Sequence, residues 1–140
     1  MGRKVYYFDM DGVIANFHKE PYSYANACNR EWIANLEPFM GNINVIRNLI
    51  ANGKSVYILT AAASEDARLG KIDFLAKYIP ELNINKRFIC LVGNNAGRKV
   101  DYMVTKTGVL IDDSMRNIRP WAKAGHEYIH VAVRGETVSL

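Results

Sequence analysis

Asp9 and Asp11, one residue apart, follow the apolar run KVYYF and precede Gly12. A second acidic pair, Asp112-Asp113, follows the apolar run GVLI, and Thr60 closes the run SVYILT. Taken singly, each has a bland reading. Asp and Gly are ordinary turn residues, an Asp after a strand can cap a helix, and D-x-D-G can open a calcium loop. The calcium reading is poor, because the continuation VIANFHKE lacks the later acidic ligands and the terminal Glu of such a loop. Taken together, the acids have a sharper meaning. Carboxylates about 4 Å apart repel by on the order of 4 kcal/mol per pair at an effective dielectric near 20, so a cation must sit among them. Oxygen-only ligands favour a hard divalent ion such as Mg2+, which keeps positions for water and phosphate.

Phosphate monoesters resist hydrolysis so strongly that several effects must combine to cleave them. This chain offers a carboxylate nucleophile, Asp9, able to form an aspartyl-phosphate. Asp11 can protonate the leaving oxygen and later deprotonate water. Gly12 lets the chain turn so that both face one pocket. Thr60 can donate its hydroxyl and backbone N–H to a phosphoryl oxygen, and Lys99 can hold another. Lys86 and Lys106 compete with Lys99 for that role, and Arg98 could contact phosphate or simply be solvated. A carbon–halogen bond would need no leaving-group acid, so Asp11 favours phosphate-ester chemistry over dehalogenation.

These residues need a scaffold that gathers strand ends. The apolar runs KVYYF, SVYILT, RFICLV, GVLID and EYIHVAV read as five strands separated by segments of helical period. Residues 20–36 can be helical, with Pro21 confined to the first turn. From Asn42 onward, Ile43, Ile46 and Ile50 recur at helical spacing with Leu49 beside them, and Gly53 offers a C-cap. Ser64 caps the next helix, with Glu65 and Asp66 in its first turn. Ile72, Leu75, Ala76 and Ile79 are expected to form its buried stripe, and Pro80 stops it. A last helix is expected from about Met115 to Ala124, closed by Gly125. Several strands are apolar on both faces, which predicts an α/β, Rossmann-like three-layer fold around a mostly parallel five-stranded sheet. In such sheets ligands bind beyond the carboxyl ends of the strands at a topological switch point.

In chain order, FDMDGVIANF, ILTAAA, GRKVDY and VLIDDS resemble the four motifs of the haloacid dehalogenase-like phosphohydrolase superfamily, spanning residues 5 to about 118. The first motif is most similar to that of the 5'(3')-deoxyribonucleotidase family, where D-M-D-G-V-L-A-D-F is typical. The resemblance implies a Mg2+-dependent phosphatase with Asp9 as nucleophile and Asp11 as general acid and base. Asp9, Asp11 (through its backbone carbonyl), Asp112 and Asp113 are then the expected metal ligands. Asp113 is preferred over Asp112 for direct contact. Phe17 matches the aromatic that stacks on the nucleobase, and Phe17, Thr60, Ala61, Arg98 and Lys99 are the expected substrate contacts. The expected substrate is a small phosphate monoester, a nucleotide. Two departures stand out. Asn16 replaces the usual Asp, and residues 12–59 are fewer than the family's usual cap plus first helix, so a reduced helical cap is expected within about residues 16–40. Tyr22, Tyr24, Trp32 and Phe39 could line a base pocket, although aromatics in a helical segment are more often core.

The remaining features set bounds. A chain of 140 residues, 49% hydrophobic and 23% charged, fits one globular domain. No apolar run approaches the length of a membrane span and no signal-peptide core follows Met1, so a cytoplasmic protein is expected. The net charge of +4 suits an anionic substrate without indicating a duplex-binding surface. Cys28 and Cys90 are expected as buried free thiols in a helix and a strand, and His18, His126 and His130 lack zinc spacing. Two other functions fit the same acids: a phosphatase for sugar phosphates or 3'-phosphorylated nucleic-acid ends, and a non-enzymatic receiver-like module. The receiver reading is the weaker, since Lys99 precedes the last acidic pair rather than following it.

Overall fold

Tyr7, Phe8, Ile58, Leu59, Leu110 and Ile111 alternate between two faces of one sheet, and every one is fully buried. Burial on both faces requires a covering layer on each side. The computed structural model, which describes residues 4–18, 22–93 and 97–140, has both layers. Its five strands are β1 (Val5–Phe8), β2 (Ser55–Ala62), β3 (Phe88–Val92), β4 (Val109–Asp112) and β5 (Tyr128–His130). They pair in parallel throughout, in the order β3-β2-β1-β4-β5. This is an α/β, Rossmann-like three-layer arrangement. The third and fifth strands are shorter than the apolar runs that announce them: Arg87 ends a helical turn, and the chain leaves the sheet after His130.

Helices α3 (Met40–Ala51) and α4 (Glu65–Tyr78) pack on the Phe8, Ile58 and Ile111 face through Ile43, Ile46, Phe74 and Leu75. Helix α6 (Met115–Lys123) covers the opposite face, where Ile118 and Trp121 meet Tyr7, Leu59 and Leu110. The C-terminus of α3 carries the expected glycine. Gly53 has φ +72°, its N–H donates to Ile50 O at 3.0 Å, and Lys54 N–H donates to Leu49 O at 2.9 Å. These two bonds satisfy carbonyls that would otherwise be orphaned.

Three expectations are corrected. Residues 24–34 form two short helices rather than one, α1 (Tyr24–Ala27) and α2 (Arg30–Ala34). Asn29 breaks the run by turning extended and accepting the Trp32 N–H on its side chain at 2.9 Å. The expected start at residues 20–21 lies outside the described residues. Cys28 therefore ends α1, and both Cys28 and Cys90 are free and partly rather than fully buried. The buried stripe of α4 is rotated from the expected one. Of the expected residues Leu75 and Ile79 are fully buried, but Ile72 is only partly buried and Ala76 is exposed, while Ala67, Gly70, Lys71 and Phe74 face inward in their place. Phe74, fully buried against the core, holds this face of the helix inward.

The excursion between β1 and α3 is pinched at its base, where Asn16 N–H donates to Glu37 O and Phe39 N–H donates to Ile14 O. Helix α2 then lies against α4 at Gly70, where a side chain would collide with the Arg30 carbonyl. Among the described residues no helix is long and apolar enough to cross a membrane. Helix α5 (Ile84–Arg87) leads directly into β3.

Candidate active site

The sheet order reverses between β1 and β4, and the acids lie there. Asp9 follows β1, Asp112 ends β4 and Asp113 follows it. One carboxylate oxygen from each of Asp9, Asp112 and Asp113 falls within 4.8 Å of the other two. Lys99, on a 3-10 turn spanning Lys99–Tyr102, reaches into this group: its Nζ is 2.8 Å from Asp9 Oδ1 and 2.8 Å from Asp112 Oδ2. Of the three competing lysines, Lys99 is buried, while Lys86 and Lys106 are exposed. Lys106 lies with Lys4 and Gly108, near the starts of β1 and β4, at the opposite end of the sheet.

The backbone after β1 explains how the acids approach one another. Asp9 N–H donates to Ile111 O at 2.9 Å, locking β1 to β4 next to the site. The N–H groups of Val13, Ile14 and Ala15 all converge on Met10 O, which closes the turn, and Gly12 adopts φ +81° within it. A side chain at residue 12 would overlap the Asp113 carboxylate, so glycine is required for both conformation and space.

The two members of the acidic pair have different surroundings. Asp112 is fully buried and accepts from Lys99 Nζ, Ser114 N–H and Asn117 Nδ2. Among the described residues no donor reaches the carboxylate of Asp113, which is only partly buried. Burial and the neighbouring charge of Asp9 push Asp112 up to about 6. Burial, then Asp9, Asp112 and Asp11, push Asp113 up to about 7. Burial opposes the charge on Lys99, but Asp9 and Asp112 outweigh it and hold the ammonium above its ordinary value. Three mutually repelling carboxylates at this spacing could hold a metal ion.

Asp11 stands apart from that group. Its carboxylate points instead to Lys71, whose Nζ is 3.1 Å from both Asp11 oxygens, 2.6 Å from Thr60 Oγ1 and 2.7 Å from Ala61 O. Burial raises the proton affinity of Asp11 against the pull of Lys71. Lys71 is the residue that sequence reasoning missed. Its signal was present as a lysine at the centre of the Ala67, Gly70, Phe74 stripe, hidden because a charged residue on a helix is expected to face water.

The other expected contacts divide. Thr60 is fully buried beside Lys71, and the carbonyl of Ala61 is occupied by the same ammonium. Phe17 lies 5.9 Å from Lys71 Nζ and packs edge-on against Trp32 and Tyr22. Arg98 is not brought into the site: its side chain is exposed and pairs with Asp101 at 3.8 Å. Asp113 also lines an open cleft of about 490 Å³ together with Val131, Ala132, Val133 and Arg134. A scan of protein-family models finds no match to this chain, and neither does a comparison with curated proteins.

Proposed function

We propose that this protein is a Mg2+-dependent phosphomonoesterase that dephosphorylates nucleoside monophosphates, deoxynucleotides among them, through an aspartyl-phosphate on Asp9. One observation carries the reading. Lys99 bridges Asp9 and Asp112 at 2.8 Å each, with Asp113 alongside, at the β1/β4 switch point. The order of the four motifs, which resemble those of haloacid dehalogenase-like phosphatases, supports it independently.

Asp9, Asp112 and Asp113 would hold the metal ion, which would neutralise the carboxylates and polarise a phosphoryl oxygen. The protein groups divide the remaining work. An Asp9 oxygen bonds to phosphorus as the ester P–O bond breaks, and the electron pair of that bond goes to the leaving oxygen. Asp11 gives its proton to that oxygen, so the alcohol departs neutral. Water then attacks the phosphorus of the aspartyl-phosphate, Asp11 takes a proton from it, and Asp9 is released as carboxylate. Lys99 and the Thr60 hydroxyl are suited to the charge that develops on the phosphoryl oxygens.

The strand order counts against the receiver-like reading. Doubly wound sheets of that kind run 2-1-3-4-5, whereas this one runs 3-2-1-4-5, as in the first five strands of the Rossmann arrangement. The test is phosphate release from a panel of 5'- and 3'-nucleotides, ribo and deoxy, with sugar phosphates and a 3'-phosphorylated oligonucleotide alongside. Release from nucleotides with Mg2+, and its loss in EDTA and in Asp9→Asn, is the expected result. Release from none of these esters would end the proposal. Preference for a sugar phosphate or an oligonucleotide end would keep the chemistry and change the substrate.

A further inference from the structure

Lys71 is 1% exposed, yet it lies on a helix stripe that a hydrophobic residue could fill. Burying an ammonium is costly unless its N–H groups are met. Here they are met entirely by the machinery at the strand ends: Thr60 Oγ1 at 2.6 Å, Ala61 O at 2.7 Å and the two Asp11 oxygens at 3.1 Å. The short pair anchors the ammonium, and the longer, symmetric pair fixes the plane of the Asp11 carboxyl without committing either oxygen. Phe17 flanks the ammonium, with its ring centroid 5.9 Å from Nζ.

We propose that Lys71 is a positioning residue that presents Asp11 to the leaving oxygen and Thr60 to the phosphoryl group. This deepens the phosphatase reading and rests on it. When Asp11 carries its proton, one oxygen accepts from Lys71 and the other bears the O–H, which the ammonium turns away from itself. That proton passes to the leaving oxygen as the P–O bond breaks, and Asp11 recovers one from the attacking water in the second step. Thr60 is oriented by the same logic. Its oxygen accepts from Lys71 at 2.6 Å, and its hydroxyl donates to Ala61 O only at 3.5 Å, a long contact that a phosphoryl oxygen can replace.

A positioning role for the acid predicts a dependence on the leaving group that a merely structural lysine would not produce. A nucleoside 5'-monophosphate releases an alkoxide that needs a proton, whereas p-nitrophenyl phosphate releases a stable phenolate that does not. Lys71→Met is expected to lower kcat on the nucleotide by about 100-fold, the low end of what positioned acid–base catalysis supplies. For p-nitrophenyl phosphate the matching reading is the first-turnover burst of p-nitrophenolate, which precedes the step where Asp11 acts as base, and there the expected loss is only a few-fold, the share that comes from Thr60. Lys71→Arg, which keeps a charged donor, should recover part of the nucleotide rate and serves as the reading if the Met variant does not fold, as judged by circular dichroism. Equal losses on both substrates, or no loss on either, would overturn the role of Lys71 while leaving the phosphatase standing. A wild-type protein inactive on both esters would remove the phosphatase reading and this proposal together.

Discussion

Gly12 lies so close to the Asp113 carboxylate that a β-carbon on residue 12 would overlap Asp113 Oδ2. The residue that turns the chain after the first acids thus also makes room for the last. Gly12→Ala is expected to destabilise the protein by about 1–2 kcal/mol from the left-handed backbone alone, since φ is +81°. The displaced Asp113 should also shrink the rise in melting temperature that Mg2+ produces. Thermal unfolding in EDTA and in Mg2+ reads both effects.

Lys99 sits between Asp9 and Asp112, all three nearly or fully buried. Lys99→Met would leave two buried carboxylates without their shared cation, and breaking buried pairs in this way costs about 3–5 kcal/mol. The loss should be larger near pH 8 than near pH 5, because Asp112, pushed up to about 6, can neutralise itself by protonation at the lower pH. Urea unfolding in EDTA at the two pH values tests this. A loss independent of pH would contradict the electrostatic account.

The metal-free site should weaken as pH rises. Folded Asp112 and Asp113 titrate at about 6 and about 7, above the ordinary carboxylate value near 4 in the unfolded chain. They bind protons more tightly when folded, so their contribution to stability is full below about pH 4 and is lost as pH climbs through 6 and 7. The surface carboxylates Asp73 and Glu65 shift downward beside Arg30 and Arg68, Glu81 does so through its own backbone N–H and then Arg47, and all three act in the opposite direction. The clean measurement is therefore the difference in melting temperature with Mg2+ and with EDTA. It should grow between about pH 5 and pH 8, and a flat difference would argue against a cation among these carboxylates.

Asn42 holds the C-terminal segment against the loop that follows Asp11. It is fully buried, donates to Val13 O at 2.9 Å and Glu136 O at 2.7 Å, and accepts Val138 N–H at 2.9 Å. Each such bond is worth about 0.5–1.5 kcal/mol net. Asn42→Ala is expected to cost roughly 2–4 kcal/mol, with the Val13 and Glu136 carbonyls left without this donor. The urea midpoint reports it, and a change within about 0.5 kcal/mol, typical of surface substitutions, would show that the tail is held by other contacts.

What the chain announced in one dimension is what depends on near neighbours. Alternating apolar runs and helical periods specify an α/β sheet, because burial on a strand or helix repeats over two or about four residues. The acids at Asp9, Asp11, Asp112 and Asp113 and the hydroxyl at Thr60 are legible as strand-end chemistry for the same reason. The break at Asn29 was less visible, since a single side-chain cap decided it.

The tertiary structure alone decided which cations serve which acids. Lys99 meets Asp9 and Asp112 across long stretches of chain, Arg98 beside it turns to solvent, and Lys71 comes in from a helix to hold Asp11. A long flexible side chain carries no periodic signature of where its charge ends up. That end point depends on the packing of Phe74 and Gly70, which rotate α4 until a lysine, rather than the neighbouring Ile72, faces the carboxyl ends of the strands.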